Sequence, residues 1–193
     1  MPGEGLPAIV VARTGSTPTS DATVNSTRRV HSFQLYVASA TYAGNVRPGD
    51  ITVVYGIGGI GINAVQGAAH AGAKYIVAID PVPFKRDTAL KFGATHVFAS
   101  AEAAAEKITE LSWGQGADQA IICVGTVDED VVTSAFSAIG KGGTVVVIGM
   151  ANPEKLTIHV SGLELTLFEK TIRGSLFGSA NPQYDIIRLL RLY

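Results

Sequence analysis

Residues 51–80 read ITVVYGIGGIGINAVQGAAHAGAKYIVAID. Ile51 to Tyr55 is a short β-branched run, the pattern of a strand buried on both faces. Glycines follow at once, at positions 56, 58, 59 and 61. A helix then runs from about Gly59 to Ala71, with Ile60, Ala64, Val65 and Ala68 on one face, and Gly72 stops it. Tyr75 to Asp80 reads as a second strand. Strand, glycine turn, helix and strand make one βαβ unit.

A lone GxGxxG is a weak signal. Here the pattern follows a strand, opens a helix, sits in a βαβ unit, and has an acid 19 residues after Gly61 at the end of the second strand. Gly56 permits the tight turn. Gly58, lacking a Cβ, lets a pyrophosphate approach the backbone, and Gly61 lets the helix pack closely. Ile57, Gly59 and Ile60 complete the loop. Free N–H groups at the helix start, backed by the helix dipole, suit an anion. Asp80 can accept hydrogen bonds from ribose hydroxyls, and a carboxylate would repel a 2′-phosphate, so the expected cofactor is NAD rather than NADP. Lys85 and Arg86 can flank the adenosine or form a solvated helix face; Lys85 is the candidate contact of the two.

The alternation continues downstream. Pro83 begins a second helix, ending at Gly93. Thr95 to Ala99 is a third strand, and residues 101–112 are helical by propensity. Ala117 to Val124 is a fourth strand, and Asp128 caps a helix to about Ile139. Gly142-Gly143 turns into a fifth strand, Thr144 to Ile148. Leu156 to Val160 reads as an edge strand, Thr171 to Phe177 as a sixth core strand, and Pro182 to Tyr193 as a last helix. The expected fold is an open α/β doubly wound parallel sheet of the Rossmann type, with six core strands and an irregular N-terminal extension. Residues 13–32 carry nine Ser or Thr and no apolar periodicity. Residues 1–41 are therefore expected to be an irregular or disordered segment, with one cofactor domain over 42–193.

Composition narrows the function. Charged residues are 16% and the net charge is −1, so nucleic acid is not an expected partner. The single cysteine, Cys123, excludes an intrachain disulfide and a thiolate zinc cluster. His31, His70, His96 and His159 are scattered and form no metal-ligating spacing. No apolar run approaches the roughly 18 residues needed to span a bilayer, and the N-terminus lacks a secretory pattern; a cytoplasmic setting is expected.

The segments VRPGDITVVYGIGGIGINAVQGAAHAGA, YIVAID, KFGATHVF, GADQAIICVG, GKGGTVVVIGM and FEKTIRGSLFGS resemble the nucleotide-binding domain of the medium-chain, zinc-dependent alcohol dehydrogenases. The ending NPQYDIIRLLRLY resembles members that hold NAD tightly as a prosthetic group. The resemblance implies that Val124, Gly125, Thr126, Ile148, Gly149, Met150, Leu176 and Phe177 line the nicotinamide and its ribose. It also implies an alcohol or aldehyde substrate in a complete enzyme, and a homodimer through the sheet edge near 156–177. The family's zinc ligands belong mainly to another domain that nothing in residues 1–41 resembles. The chain therefore reads as a truncated member that binds NAD with little or no turnover, and no catalytic or metal-binding residue is assigned. The rival readings are a nucleotide-binding or interaction module without its own catalysis, and a zinc-independent quinone or enoyl reductase. A methyltransferase would usually carry GxGxG, and position 60 is Ile.

Overall fold

β1 (Ile51–Tyr55) is buried along its whole length, as its unbroken β-branched run requires. The computed structural model describes residues 39–151 and 157–181, which fold outward from this strand. The elements that follow are α1 (Gly59–His70), β2 (Tyr75–Ile79), α2 (Pro83–Lys91), β3 (His96–Phe98), α3 (Ala101–Leu111), β4 (Ala117–Ile122), β5 (Thr126–Val127), α4 (Glu129–Ala138), β6 (Ile139–Val147), β7 (Met150–Ala151), α5 (Gly162–Leu167) and β8 (Thr171–Gly174). Six strands form one sheet in the order β3-β2-β1-β4-β6-β8, and every pairing is parallel.

Side chains alternate across a strand, so each strand feeds two cores. On one face Val54, Ile76, Ala78 and Ile121 meet Ala64, Val65 and Ala68 of α1. On the other face Val53, Val77, Ala120 and Ile122 meet Ile108 of α3 and Val132 and Phe136 of α4. Each fully buried Val or Ile contributes about 1.5–3 kcal/mol of transfer free energy. Polar groups at the strands' N-terminal ends join β1 to β4. The Asp118 carboxylate accepts the Ile51 N–H at 2.8 Å, and Thr52 donates to Gln119 Oε1 at 3.0 Å.

Several boundaries depart from the expected ones. β6 starts at Ile139, before the glycine pair, because Ile139 pairs with Ala117 ahead of an irregularity that restarts the ladder at Thr144–Gln119. Gly142, at φ +71°, lies inside that irregularity. Residues 157–160 form no strand. His159 is instead drawn to α4: its carbonyl accepts the Thr133 hydroxyl at 3.2 Å, and its ring pairs with Glu129. The sheet edge beyond β6 is β8, which stops at Gly174 rather than Phe177, and Phe177 opens a short turn, Phe177–Ser179. Ser39–Ala43 is a π-helical turn with Ala40 and Ala43 in the core, so the last residues of the segment expected to be irregular over 1–41 are ordered. The expected tail over 1–32, position 156 and the helix over 182–193 lie outside the described residues.

Candidate functional site

The chain leaves β1 toward β2 and leaves β4 toward β6, in opposite directions across the sheet. The strand order therefore reverses between β1 and β4, and a crevice opens above their carboxyl ends, where doubly wound sheets bind ligands. Its volume is about 510 Å³, and Gly56, Gly58, Asp80, Lys85, Val124 and Gly125 are among its walls.

The glycine turn shows three separate constraints. Gly56 sits at φ +84°, and its N–H donates to Ile79 O at 2.8 Å, so the turn is tied to β2. A Cβ on Gly61 would lie 1.8 Å from the Gly56 carbonyl oxygen, a contact no side chain tolerates. A Cβ on Gly58 would meet nothing within 4 Å. Gly58 is thus not required for internal packing; the space above it is open to a ligand. Gly58 is also the N-cap of α1, with no side-chain cap and no acid in the first turn. The first amides of α1 are left for an anion, with the positive end of the helix dipole behind them.

Asp80 follows β2 and is 3% exposed. One carboxylate oxygen accepts the Ile57 N–H of the glycine turn at 2.8 Å, and the other accepts the Val82 N–H at 2.9 Å. Lys85 Nζ stands 3.3 Å from the first oxygen. One carboxylate therefore joins the glycine turn, the β2–α2 turn and α2. The first oxygen thus accepts twice, from Ile57 and Lys85, while the second, bonded to Val82 alone, keeps a lone pair for a further donor. Arg86, which could have offered charge to the crevice, instead donates through Nη1 to the carbonyls of Asp80 and Pro81 at 2.7 and 2.8 Å. The other carboxylates that line the crevice are Glu102, Asp128 and Asp130. Asp128 caps α4 by accepting the Val131 N–H. The Ser100 hydroxyl holds the Glu102 carboxyl below its usual range.

Tyr55 forms part of the crevice wall. Burial pushes its hydroxyl up to about 12, partly opposed by a hydrogen bond with Ser134. It is a neutral wall at ordinary pH. Cys123, also in the wall, has its thiol pushed up by burial and is not a thiolate nucleophile.

The other expected residues lie toward β6 and β8. The amides of Ile148 and Gly149 both donate to Ile122 O, at 3.1 and 3.3 Å. Thr126 pairs with Met150 in a small β5–β7 ladder, so the stretches 124–126 and 148–150 run side by side. Val124 and Gly125 share the crevice with Asp80. Met150 and Leu176 project into open surface, at 81% and 78% exposure. His70 is exposed at the end of α1, and His96 packs edge-on to Tyr75. Among the described residues no group of three or more His, Cys, Asp or Glu is placed to hold a metal ion. Sequence reasoning missed the Ile57 and Val82 amides as partners of Asp80, the role of Arg86, and Tyr55. Only the spacing of Lys85 and Arg86 from Asp80, five and six residues, offered a signal.

Residues 59–193 match the zinc-binding dehydrogenase family. The chain belongs to that family. An NDMA-dependent alcohol dehydrogenase of Amycolatopsis methanolica is 73% identical over 156 residues, which are 81% of this chain and 42% of that protein. Among solved structures, an alcohol dehydrogenase zinc-binding domain protein from Burkholderia ambifaria aligns with a TM-score of 0.76 at 32% identity, over 83% of this chain and 43% of that one. Benzyl alcohol dehydrogenase from Acinetobacter calcoaceticus aligns with a TM-score of 0.76 at 29% identity, over 84% and 44%. This member of the zinc-binding dehydrogenase family thus spans less than half the length of these relatives. Among its described residues no helix is long and apolar enough to cross a membrane.

Proposed function

We propose that residues 42–193 are the NAD-binding domain of an alcohol dehydrogenase, and that this chain binds the dinucleotide with little or no alcohol oxidation of its own. The reading is carried by the open space above Gly58 beside a buried, multiply held Asp80. In it, the α1 amides hold the pyrophosphate, Asp80 accepts from the adenosine ribose, and Lys85 flanks it. Ile57, Gly59 and Ile60 shape the loop. Val124 and Gly125 wall the crevice, while Thr126, Ile148, Gly149, Met150, Leu176 and Phe177 flank the nicotinamide end. Bound NAD supplies the hydride acceptor; these residues orient it and exclude water from one side. The acids around Asp80 favour an unmodified ribose over a 2′-phosphate. The donor set of the described residues does not fit a zinc ion, so no step is assigned to one. A small alcohol or aldehyde is the substrate of the complete enzyme, as the relatives' names suggest, and the cytoplasm is its setting.

Calorimetric titration of the purified chain tests this. NAD should bind at least about 100-fold more tightly than NADP, the ratio expected when a carboxylate faces a phosphate. Acid release should also yield NAD if the cofactor co-purifies, as the tightly holding members imply. Tighter binding of NADP would move the reading to a zinc-independent quinone or enoyl reductase. Binding of neither would leave an interaction module. Robust alcohol oxidation by the chain with added zinc would overturn the low-turnover part. The exposed edge strand β8 supports a second element, a homodimer through the segment 156–177, measured by sedimentation.

A further inference from the structure

We propose that Arg86 is a positioning residue for the Asp80 carboxylate and so sets how strongly the site reads the adenosine ribose; this rests on the NAD-binding reading above. Arg86 does not line the crevice. Its Nη1 donates to two consecutive carbonyls, Asp80 O at 2.7 Å and Pro81 O at 2.8 Å. A cation between two adjacent carbonyls fixes the orientation of both peptide planes, and hydrogen bonds to a charged donor are stronger than neutral ones. Those planes flank Pro81, and the first of them leaves directly from the Cα of Asp80, so it fixes the ψ side of that residue. Pro81 and Pro83 stiffen the same turn by fixing their own φ.

The carboxylate is held from the other side by the Ile57 and Val82 amides and by Lys85. It has no freedom to follow a ribose, so its placement must be correct before ligand arrives. Arg86 supplies that placement through the backbone, and it is half-buried on α2, which anchors it. The same contacts keep Nη1 directed at the turn carbonyls and away from the ribose. Arg86 therefore acts twice on specificity: it presents the acid, and it withholds its own charge from a phosphate at the 2′ position.

The test uses the 193-residue chain and its Arg86→Gln and Arg86→Lys variants, titrated with ADP and with 2′-deoxy-ADP. The two ligands differ only in the hydroxyl that Asp80 would bind. The unsubstituted chain should prefer ADP by about tenfold, the value of one charge-assisted hydrogen bond. In Arg86→Gln the preference should fall to about twofold, while 2′-deoxy-ADP affinity changes little. Arg86→Lys should restore an intermediate preference, since an ammonium reaches one carbonyl but not both. If Arg86→Gln does not fold, Arg86→Lys alone carries the comparison. Equal losses for both ligands, or an unchanged preference, would overturn the positioning role. Failure of the unsubstituted chain to bind NAD or ADP would instead overturn the NAD-binding reading, and the role of Arg86 with it.

Discussion

Asp80 and Gly61 sit beside β2 and β1, toward one end of the strand order, among buried neighbours, whereas Met150, after β6, and Leu176, after β8, lie toward the other end and are 81% and 78% exposed. At the first end every group is held by another part of the chain. Gly56 is bonded to β2, Asp80 to the glycine turn and to α2, and α1 is pressed onto the turn with no room for a methyl group. At the second end the backbone is held by the Ile122 carbonyl, yet the apolar side chains project outward. The difference separates a preorganised polar region from a surface of outward apolar side chains. Under the NAD-binding proposal the first meets a phosphate and a ribose, for which fixed donors and acceptors must be organised in advance, and the second faces the nicotinamide.

The contrast makes substitutions at the two ends behave differently. The largest effect is expected at Gly61. Gly61→Ala places a Cβ 1.8 Å from a backbone oxygen, and α1 must move off the turn. A loss of roughly 4 kcal/mol or more is expected, read as a collapse of the thermal transition. Gly58→Ala is the control three residues away. It meets no atom, so stability should change by less than about 1 kcal/mol, while NAD affinity falls by about 100-fold because the Cβ occupies the pyrophosphate's approach.

Next in size is the pH dependence from Tyr55. Its hydroxyl titrates near 10 in an unfolded chain and at about 12 in the folded one. The folded state holds the proton more tightly, so the stabilisation is fully present below pH 10 and is lost as pH rises toward 12. The loss should reach about 3 kcal/mol, and Tyr55→Phe should remove that component from the stability profile. Asp80→Asn should cost roughly 1–3 kcal/mol in denaturant unfolding, since one amide donor is turned against N–H groups or lysine. Smallest of all, Met150→Ser and Leu176→Ser should each change stability by less than about 0.5 kcal/mol. A large loss from either would show that the exposed end is as tightly built as the other.

Much of the sheet was legible in the sequence. β1 and β2 are short β-branched runs bounded by glycine or proline, and α4 begins at its own cap, Asp128. Such signals are local and survive without knowledge of the fold. The β5–β7 ladder was not legible. It joins Thr126–Val127 to Met150–Ala151, two residues a side, and no local pattern marks so short a pairing. The early start of β6 was hidden for the same reason: Ile139 becomes a strand residue only because Ala117 lies beside it. The stretch 157–160 looked like a strand by composition, but its neighbours there are α4 side chains rather than a free sheet edge.

By itself the sequence determined the alternation of strands and helices, the place of the glycine turn, and the acid after the second strand. Each depends on residues within about one βαβ unit, where backbone propensity and side-chain periodicity act directly. Tertiary structure alone decided what Asp80 and Arg86 do. The carboxylate meets an amide 23 residues away, and the guanidinium turns back onto two carbonyls instead of facing the crevice. Those contacts depend on parallel register and on how α2 leaves its turn, which no local run of residues encodes.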